Sequence, residues 1–221
     1  MKAFIFDLDG VIVFTDKFHY LAWKEMADQM GIYFDETINN RLRGVSRQES
    51  LAIILEKYEG KELSEEEKVH LMEVKNNRYR ELLRDMTPED VSEETRNTLQ
   101  ELKDRGYRLA IGSSSKNAKF ILEKTGLTEL FDAISDGTNI SHSKPDPEVF
   151  LKAAEFLKED PKACYVVEDA SAGIQAAKAA GMTAVGIGDA AKDIKSDYGI
   201  CSFSELLNLT ETKQGRKLWQ D

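Results

Sequence analysis

The chain has 221 residues, 41% of them apolar and 32% charged, which allows one good core and a smaller second unit but not two large domains. Its formal net charge of −10 repels nucleic acid and anionic lipid, so neither is an expected partner. No apolar run is long enough for a membrane span, and the N-terminus reaches Asp7 and Asp9 too soon for a signal peptide. Cys164 and Cys201 sit in apolar runs without metal-ligand spacing, so both are expected as buried free thiols in a reducing cytoplasm.

Residues 3–6 form a short apolar run closed by Asp7-Leu8-Asp9-Gly10, which predicts a buried strand ending in a glycine turn. From about Phe14 to Met86 no strand pattern follows. Helical patterns run instead over 19–30, 47–58 and 64–83, and Ser46 with Glu49 and Ser64 with Glu67 have capping-box spacing. The last of these helices is so charged that it reads as solvated for most of its length. After Thr87-Pro88, helix patterns at 95–105, 117–124, 147–157 and 172–180 alternate with strand patterns at 107–112, 131–135, 164–167 and 183–187. Such alternation implies an α/β fold, a parallel sheet covered on both faces. The expected organisation is a Rossmann-like core from residues 1–13 and 88–221, with a helical bundle cap inserted at 14–87. The crossings near Phe14 and Thr87-Pro88 are expected hinges.

Open parallel sheets bind ligands at the carboxyl ends of their strands. Asp7 and Asp9 follow the first strand and Ser113-Ser114-Ser115-Lys116-Asn117 the second. Ser143-Lys144-Pro145 follows the third and Glu168-Asp169 the fourth. One acid alone reads equally well as a helix cap or turn former. Four carboxylates, a lysine and a hydroxyl cluster at one edge call for a shared purpose. Like charges pack together only around a cation or a proton, and an all-oxygen set suits Mg²⁺ better than zinc. Lys144 would offset the acids and a phosphoryl group. Asp146-Pro147 reads as an N-cap with its first turn, and Ser113 to Ser115 lead into a helix N-terminus that can hold phosphate.

Asp7-Leu8-Asp9-Gly10-Val11 resembles the DxDG(V/T) signature of the haloacid dehalogenase-like superfamily, and Ser113, Lys144 and Glu168-Asp169 resemble its later motifs in order. The resemblance spans the whole chain and implies phosphoryl transfer through an aspartyl phosphate at Asp7, with Asp9 as general acid and base. It also implies one Mg²⁺ per chain held by Asp7, the Asp9 backbone, Glu168 and Asp169, with Ser113 and Lys144 on the phosphoryl oxygens. More narrowly, Thr15, His19, Ala22-Trp23-Lys24, the run Arg43-Gly44-Val45-Ser46-Arg47, Lys75-Asn76 and Val167 to Gly173 resemble the β-phosphoglucomutase family.

That family implies interconversion of β-glucose 1-phosphate and glucose 6-phosphate, with β-glucose 1,6-bisphosphate as intermediate and activator. Thr15 joins the catalytic group in this reading. His19, Trp23, Arg43, Gly44, Val45, Arg47, Lys75, Ser114, Ser115, Lys116 and Asn117 would bind the sugar phosphate. Arg47, Ser115 and Asn117 would take the second, distal phosphate. Val91-Ser92-Glu93-Glu94 replaces a Pro-Gly familiar where the chain re-enters the core, Arg43 stands where lysine is familiar, and Ala170 replaces a hydroxyl residue. These departures leave the sugar open. The alternative is a phosphatase of the same superfamily acting on a sugar phosphate. The expected form is a monomer.

Overall fold

The computed structural model describes residues 2–42 and 45–211, so Arg43 and Gly44, both expected on the substrate, lie outside the described residues. The chain begins with β1 (Ala3–Phe6), whose four residues are all buried. The helices α1 (Asp16–Gln29), α2 (Glu36–Asn40), α3 (Arg47–Leu55) and α4 (Glu65–Leu83) follow. The chain then alternates α5 (Glu93–Asp104), β2 (Arg108–Gly112), α6 (Ala118–Lys124), β3 (Ala133–Ser135), α7 (Glu148–Leu157), β4 (Cys164–Glu168), α8 (Ser171–Ala179) and β5 (Thr183–Gly186). A two-residue strand β6 (Tyr198–Gly199) and α9 (Leu206–Glu211) close the described chain.

The strands form one sheet in the order β3-β2-β1-β4-β5-β6, and every adjacent pair is parallel. Each is apolar because helices cover both faces. On one face, Phe4, Phe6, Leu109, Ile111 and Val167 pack with Leu99, Leu102 and Leu122 from α5 and α6. On the other, Ile5, Ala110 and Val166 pack with Val149, Phe150 and Ile174 from α7 and α8. Gly112 lets α7 sit close, since a Cβ there would press on the Phe150 ring.

Helices α1 to α4 enclose a hydrophobic cluster of their own, built from Trp23, Met26, Ile32, Phe34, Leu51 and Ile54. Both expected capping boxes form. Ser46 Oγ accepts from Glu49 N while Glu49 returns the bond to Ser46 N at 2.9 Å, and Ser64 with Glu67 repeats the pattern at 2.8 Å.

The element ends differ from the sequence patterns by three residues at most. The largest shifts are at α1, which begins at Asp16 rather than His19, and at α3, which ends at Leu55 rather than Tyr58. The two-residue β6 carries no period of its own and gave no sequence signal. The charged pattern of α4 hides an inner stripe, Lys75, Tyr79 and Leu83, buried at i, i+4 and i+8. The expectation for the cysteines holds for Cys164 only. Cys201 is exposed, because it follows the edge strand β6; both thiols are free.

Candidate active site

The strand register sets the site. Phe6 pairs with Ile111 and with Val167, so the next residues along, Asp7, Gly112 and Glu168, come level at the carboxyl edge. Asp7 N donates to the Val167 carbonyl at 2.9 Å and fixes the exit of β1. The chain then turns at Gly10, whose φ is +87° and where any Cβ would collide with the Asp169 carboxylate. Glycine is thus required twice over at this position. A second glycine, Gly173 in the first turn of α8, leaves room for the Glu168 carboxylate in the same way.

Lys144 arrives from the loop before α7, across a cis Lys144-Pro145 peptide bond. Its Nζ donates to Asp7 Oδ1 and to Glu168 Oε1 and lies 4.8 Å from the Phe150 ring centroid. Burial alone would depress this lysine, but the Asp7 and Glu168 charges carry it above its ordinary value. The carboxylates show the reverse strain. Burial raises Asp7 well above the usual range despite Lys144, and burial with the nearby Glu168 charge pushes Asp169 up to about 7. Ala170 N–H takes the other Glu168 oxygen at 3.0 Å.

Three acids therefore share one lysine, a deficit of positive charge that a divalent cation would fill. The oxygen-only donor set and the space kept by Gly10 fit Mg²⁺.

Asp9 stands apart from Lys144 in its bonding. Thr15 Oγ1 donates to Asp9 Oδ1, and Tyr79 Oη donates to Thr15 Oγ1 at 3.1 Å. Thr15 is the N-cap residue of α1, yet its hydroxyl makes no capping bond. It has been diverted from the helix end to the acid, which burial otherwise raises.

Helices α1 and α4 supply the opposite wall. The His19 ring stacks on Tyr79 at 4.0 Å between centroids, and Lys75 Nζ lies 2.8 Å from His19 Nδ1. Lysine is a donor only, so His19 accepts at Nδ1 and keeps its own proton on Nε2. Burial, then the Lys75 and Arg47 charges, holds His19 well below its usual pKa, in the neutral form. Lys75 is 3% exposed and lies over both the Trp23 and Tyr79 rings at 4.8 and 4.7 Å. Burial and the nearby Arg47 pull it down to about 7. Trp23, expected against the sugar, is itself buried in the helical cluster, with Lys75 Nζ over its ring.

Arg47 opens α3 and donates from Nη2 to Asn76 Oδ1 at 2.8 Å, and Asn117 Nδ2 from the core donates to the same oxygen at 3.0 Å. Ser113 is buried at the end of β2, and its Oγ accepts from Ser115 N at 3.1 Å, while Ser115 Oγ accepts from Asn117 N at 3.2 Å. The loop thus folds on its own hydroxyls before α6 begins. Among the described residues Ser114 Oγ has no hydrogen-bond partner; Lys116 is exposed, and Val45 is exposed beside the start of α3. Asp146 does not itself end the loop as N-cap. Pro147 takes that position, and Asp146 Oδ1 accepts from Glu148 N at 2.9 Å.

The structure thus brings Asp7, Lys144, Glu168 and Asp169 to one edge and places Thr15 on Asp9. Two residues given no role from sequence also belong here. Tyr79 carries the bond to Thr15, and its signal was its place four residues after Lys75 on one helix. Asn76 joins Arg47 to Asn117.

Residues 1–181 match the family of haloacid dehalogenase-like hydrolases, and the chain belongs to it. Within that class the chain groups with the β-phosphoglucomutase family. It is 44% identical to a beta-phosphoglucomutase of Bacillus subtilis, with 93% of this chain and 92% of the relative covered. A beta-phosphoglucomutase from Clostridium difficile superposes with a TM-score of 0.87 at 39% identity, covering 96% of each chain. A phosphorylated carbohydrates phosphatase of Thermotoga maritima is 32% identical, with 82% of each chain covered. Mg²⁺ dependence is typical of this family. Among the described residues no helix is long and apolar enough to cross a membrane.

Proposed function

We propose that the chain is a β-phosphoglucomutase, interconverting β-D-glucose 1-phosphate and β-D-glucose 6-phosphate through β-glucose 1,6-bisphosphate and a phospho-Asp7 enzyme. The observation that carries this reading is a second polar cluster facing the first. Asp7 and Lys144 stand at the sheet edge, while Arg47, Asn76 and Asn117 meet where the inserted helices touch the core. A mutase must hold the phosphate it is not transferring, and a simple phosphatase need not.

In the reaction, an Asp7 oxygen attacks phosphorus and the bond to the sugar oxygen breaks. The carboxylate is a weak base but is a nucleophile without further activation when ionised. Asp9, held by Thr15, gives its proton to the departing oxygen and later takes one from the sugar hydroxyl that attacks phospho-Asp7. Lys144 and Ser113 hold the phosphoryl oxygens, and such positioning with charge stabilisation is most of phosphoryl-transfer catalysis. Mg²⁺ held by Asp7, the Asp9 carbonyl, Glu168 and Asp169 would supply further positive charge at those oxygens. His19 and Lys75 face the sugar, Arg47 with Ser115 and Asn117 takes the distal phosphate, and the bisphosphate turns over between the two transfers. The helical cap, residues 14–87, closes over the edge about the crossings at Phe14 and Thr87-Pro88 and keeps water from phospho-Asp7.

The likeness to a phosphorylated carbohydrates phosphatase supports the second reading, a sugar phosphatase. A coupled assay separates the two. Protein with β-glucose 1-phosphate, Mg²⁺ and a trace of the bisphosphate is expected to yield glucose 6-phosphate with little free phosphate. Free phosphate without glucose 6-phosphate would overturn the mutase. Arg47→Ala is expected to cut mutase turnover by about 100-fold, the scale of a lost bidentate charged contact, while sparing hydrolysis of an aryl phosphate. Equal loss of both activities would take Arg47 away from the distal phosphate.

A further inference from the structure

Among the described residues, neither Arg47 nor the buried Lys75 forms an ion pair with a carboxylate, although the Asp9 charge on the core side is felt by Lys75. Both cations rest on neutral acceptors, Arg47 on Asn76 Oδ1 and Lys75 on His19 Nδ1. This wall of the cleft is therefore electropositive without an anion of its own.

The bond at Asn76 shows how the wall is held. Arginine can only donate, so the Asn76 amide must turn its oxygen towards Arg47. That oxygen also receives Asn117 Nδ2. Arg47 and Asn76 lie on the inserted helices α3 and α4, whereas Asn117 is the N-cap residue of α6 in the core. One carbonyl oxygen thus draws in donors from both sides of the cleft, and they are the same two donors that the mutase reading assigns to the distal phosphate.

We propose that Asn76 is a built-in surrogate for the distal phosphate. With no substrate bound, its carbonyl oxygen keeps Arg47 and Asn117 aligned and draws the inserted helices against the core. A phosphate oxygen, which bears full charge, makes stronger bonds to the same donors and displaces it. Asn76 is then a positioning residue that sets how readily the distal site exchanges its occupant. A neutral amide suits this task. A carboxylate would pair with Arg47 too firmly to yield, and a hydrocarbon would leave the donors unaligned.

This inference rests on the distal-phosphate reading of Arg47, and its test separates the two. Binding of inorganic phosphate to the full chain would be titrated calorimetrically, with Arg47→Ala marking the Arg47-dependent part. In Asn76→Ala the competing oxygen is gone and alanine keeps the helix, so this part should tighten by about threefold. In Asn76→Asp it should weaken by tenfold or more, about the cost of displacing a charged partner in place of a neutral one. With β-glucose 1-phosphate, Asn76→Asp should raise KM far more than it lowers kcat.

A merely structural Asn76 would lose affinity in both variants, and a direct phosphate ligand would lose it in Asn76→Ala. Either outcome overturns the surrogate while leaving the distal site standing. Phosphate binding indifferent to Arg47→Ala would overturn the distal site and the surrogate together.

Discussion

Asp7 carries the heaviest demand at the residue scale. Burial makes its charge costly, and the Glu168 charge adds to that, while Lys144 offsets part of the cost. Asp7→Asn removes the nucleophile and also a costly buried charge, and Lys144 keeps Glu168 as a partner. Turnover should fall by about 10⁴-fold or more, with thermal stability equal to or above that of the native protein. Steady-state kinetics and thermal unfolding measure both, and turnover within tenfold of native would remove Asp7 from the reaction.

Lys75 makes the opposite bargain. The unfolded chain keeps this proton to about pH 10, whereas the folded chain releases it near 7. The unfolded state therefore binds more protons between these values, so stability rises with pH through that window. Charging Lys75 costs stability below pH 7, and the cost fades towards pH 10. Lys75→Met should raise the melting temperature at pH 6 by about 4–10 °C, with the gain shrinking steadily up to pH 9, while KM for the sugar phosphate rises. A gain that does not change with pH would mean that packing and not charge explains it.

Two helices of the insert begin with the same device for different ends. Ser46 and Ser64 both form capping boxes, on α3 and α4. Only α3 presents Arg47 in its first turn. Ser46→Ala and Ser64→Ala should each cost about 1 kcal/mol of stability, the usual worth of an N-cap. Only Ser46→Ala should also raise KM, by about threefold, because it loosens the turn that aims Arg47. An equal effect on KM in both variants would show that the cap acts through overall stability alone.

Helix α1 departs from this pattern. Its capping hydroxyl on Thr15 goes to Asp9, and the helix end gives up a stabilising bond for the site.

For the whole molecule, the tie between insert and core is thin. Among the described residues, its polar part is Asn76 on Asn117 and Arg80 over Phe120, beside an apolar seam where Ala22, Leu83 and Met86 join the core cluster. Such polar contacts can be remade, which suits a part that opens and closes. Small-angle scattering should show a fall in radius of gyration when Mg²⁺ and a metal fluoride analogue of the phosphoryl group are added with glucose 6-phosphate. An unchanged radius under saturating analogue would remove closure from the account.

The amino-acid sequence by itself determined whatever neighbours along the chain decide. The apolar runs gave the sheet, and the acids and hydroxyls that end them gave its chemical edge. The serine and glutamate pairs gave two helix starts, since a capping box closes within four residues.

Only the tertiary structure decided the matters that distant residues settle. Lys144 meets Asp7 across 137 positions of sequence, and Tyr79 meets Thr15 across 64. The period of α4 reads as solvated, yet Lys75 and Tyr79 are buried there because α1 packs over them. Cys201 lies in an apolar run but is exposed, because the sheet ends beside it. Asn76 stands out in the sequence only beside Lys75 in a family resemblance, with no role of its own. Its place between Arg47 and Asn117 follows from the approach of three helices, which no local pattern encodes.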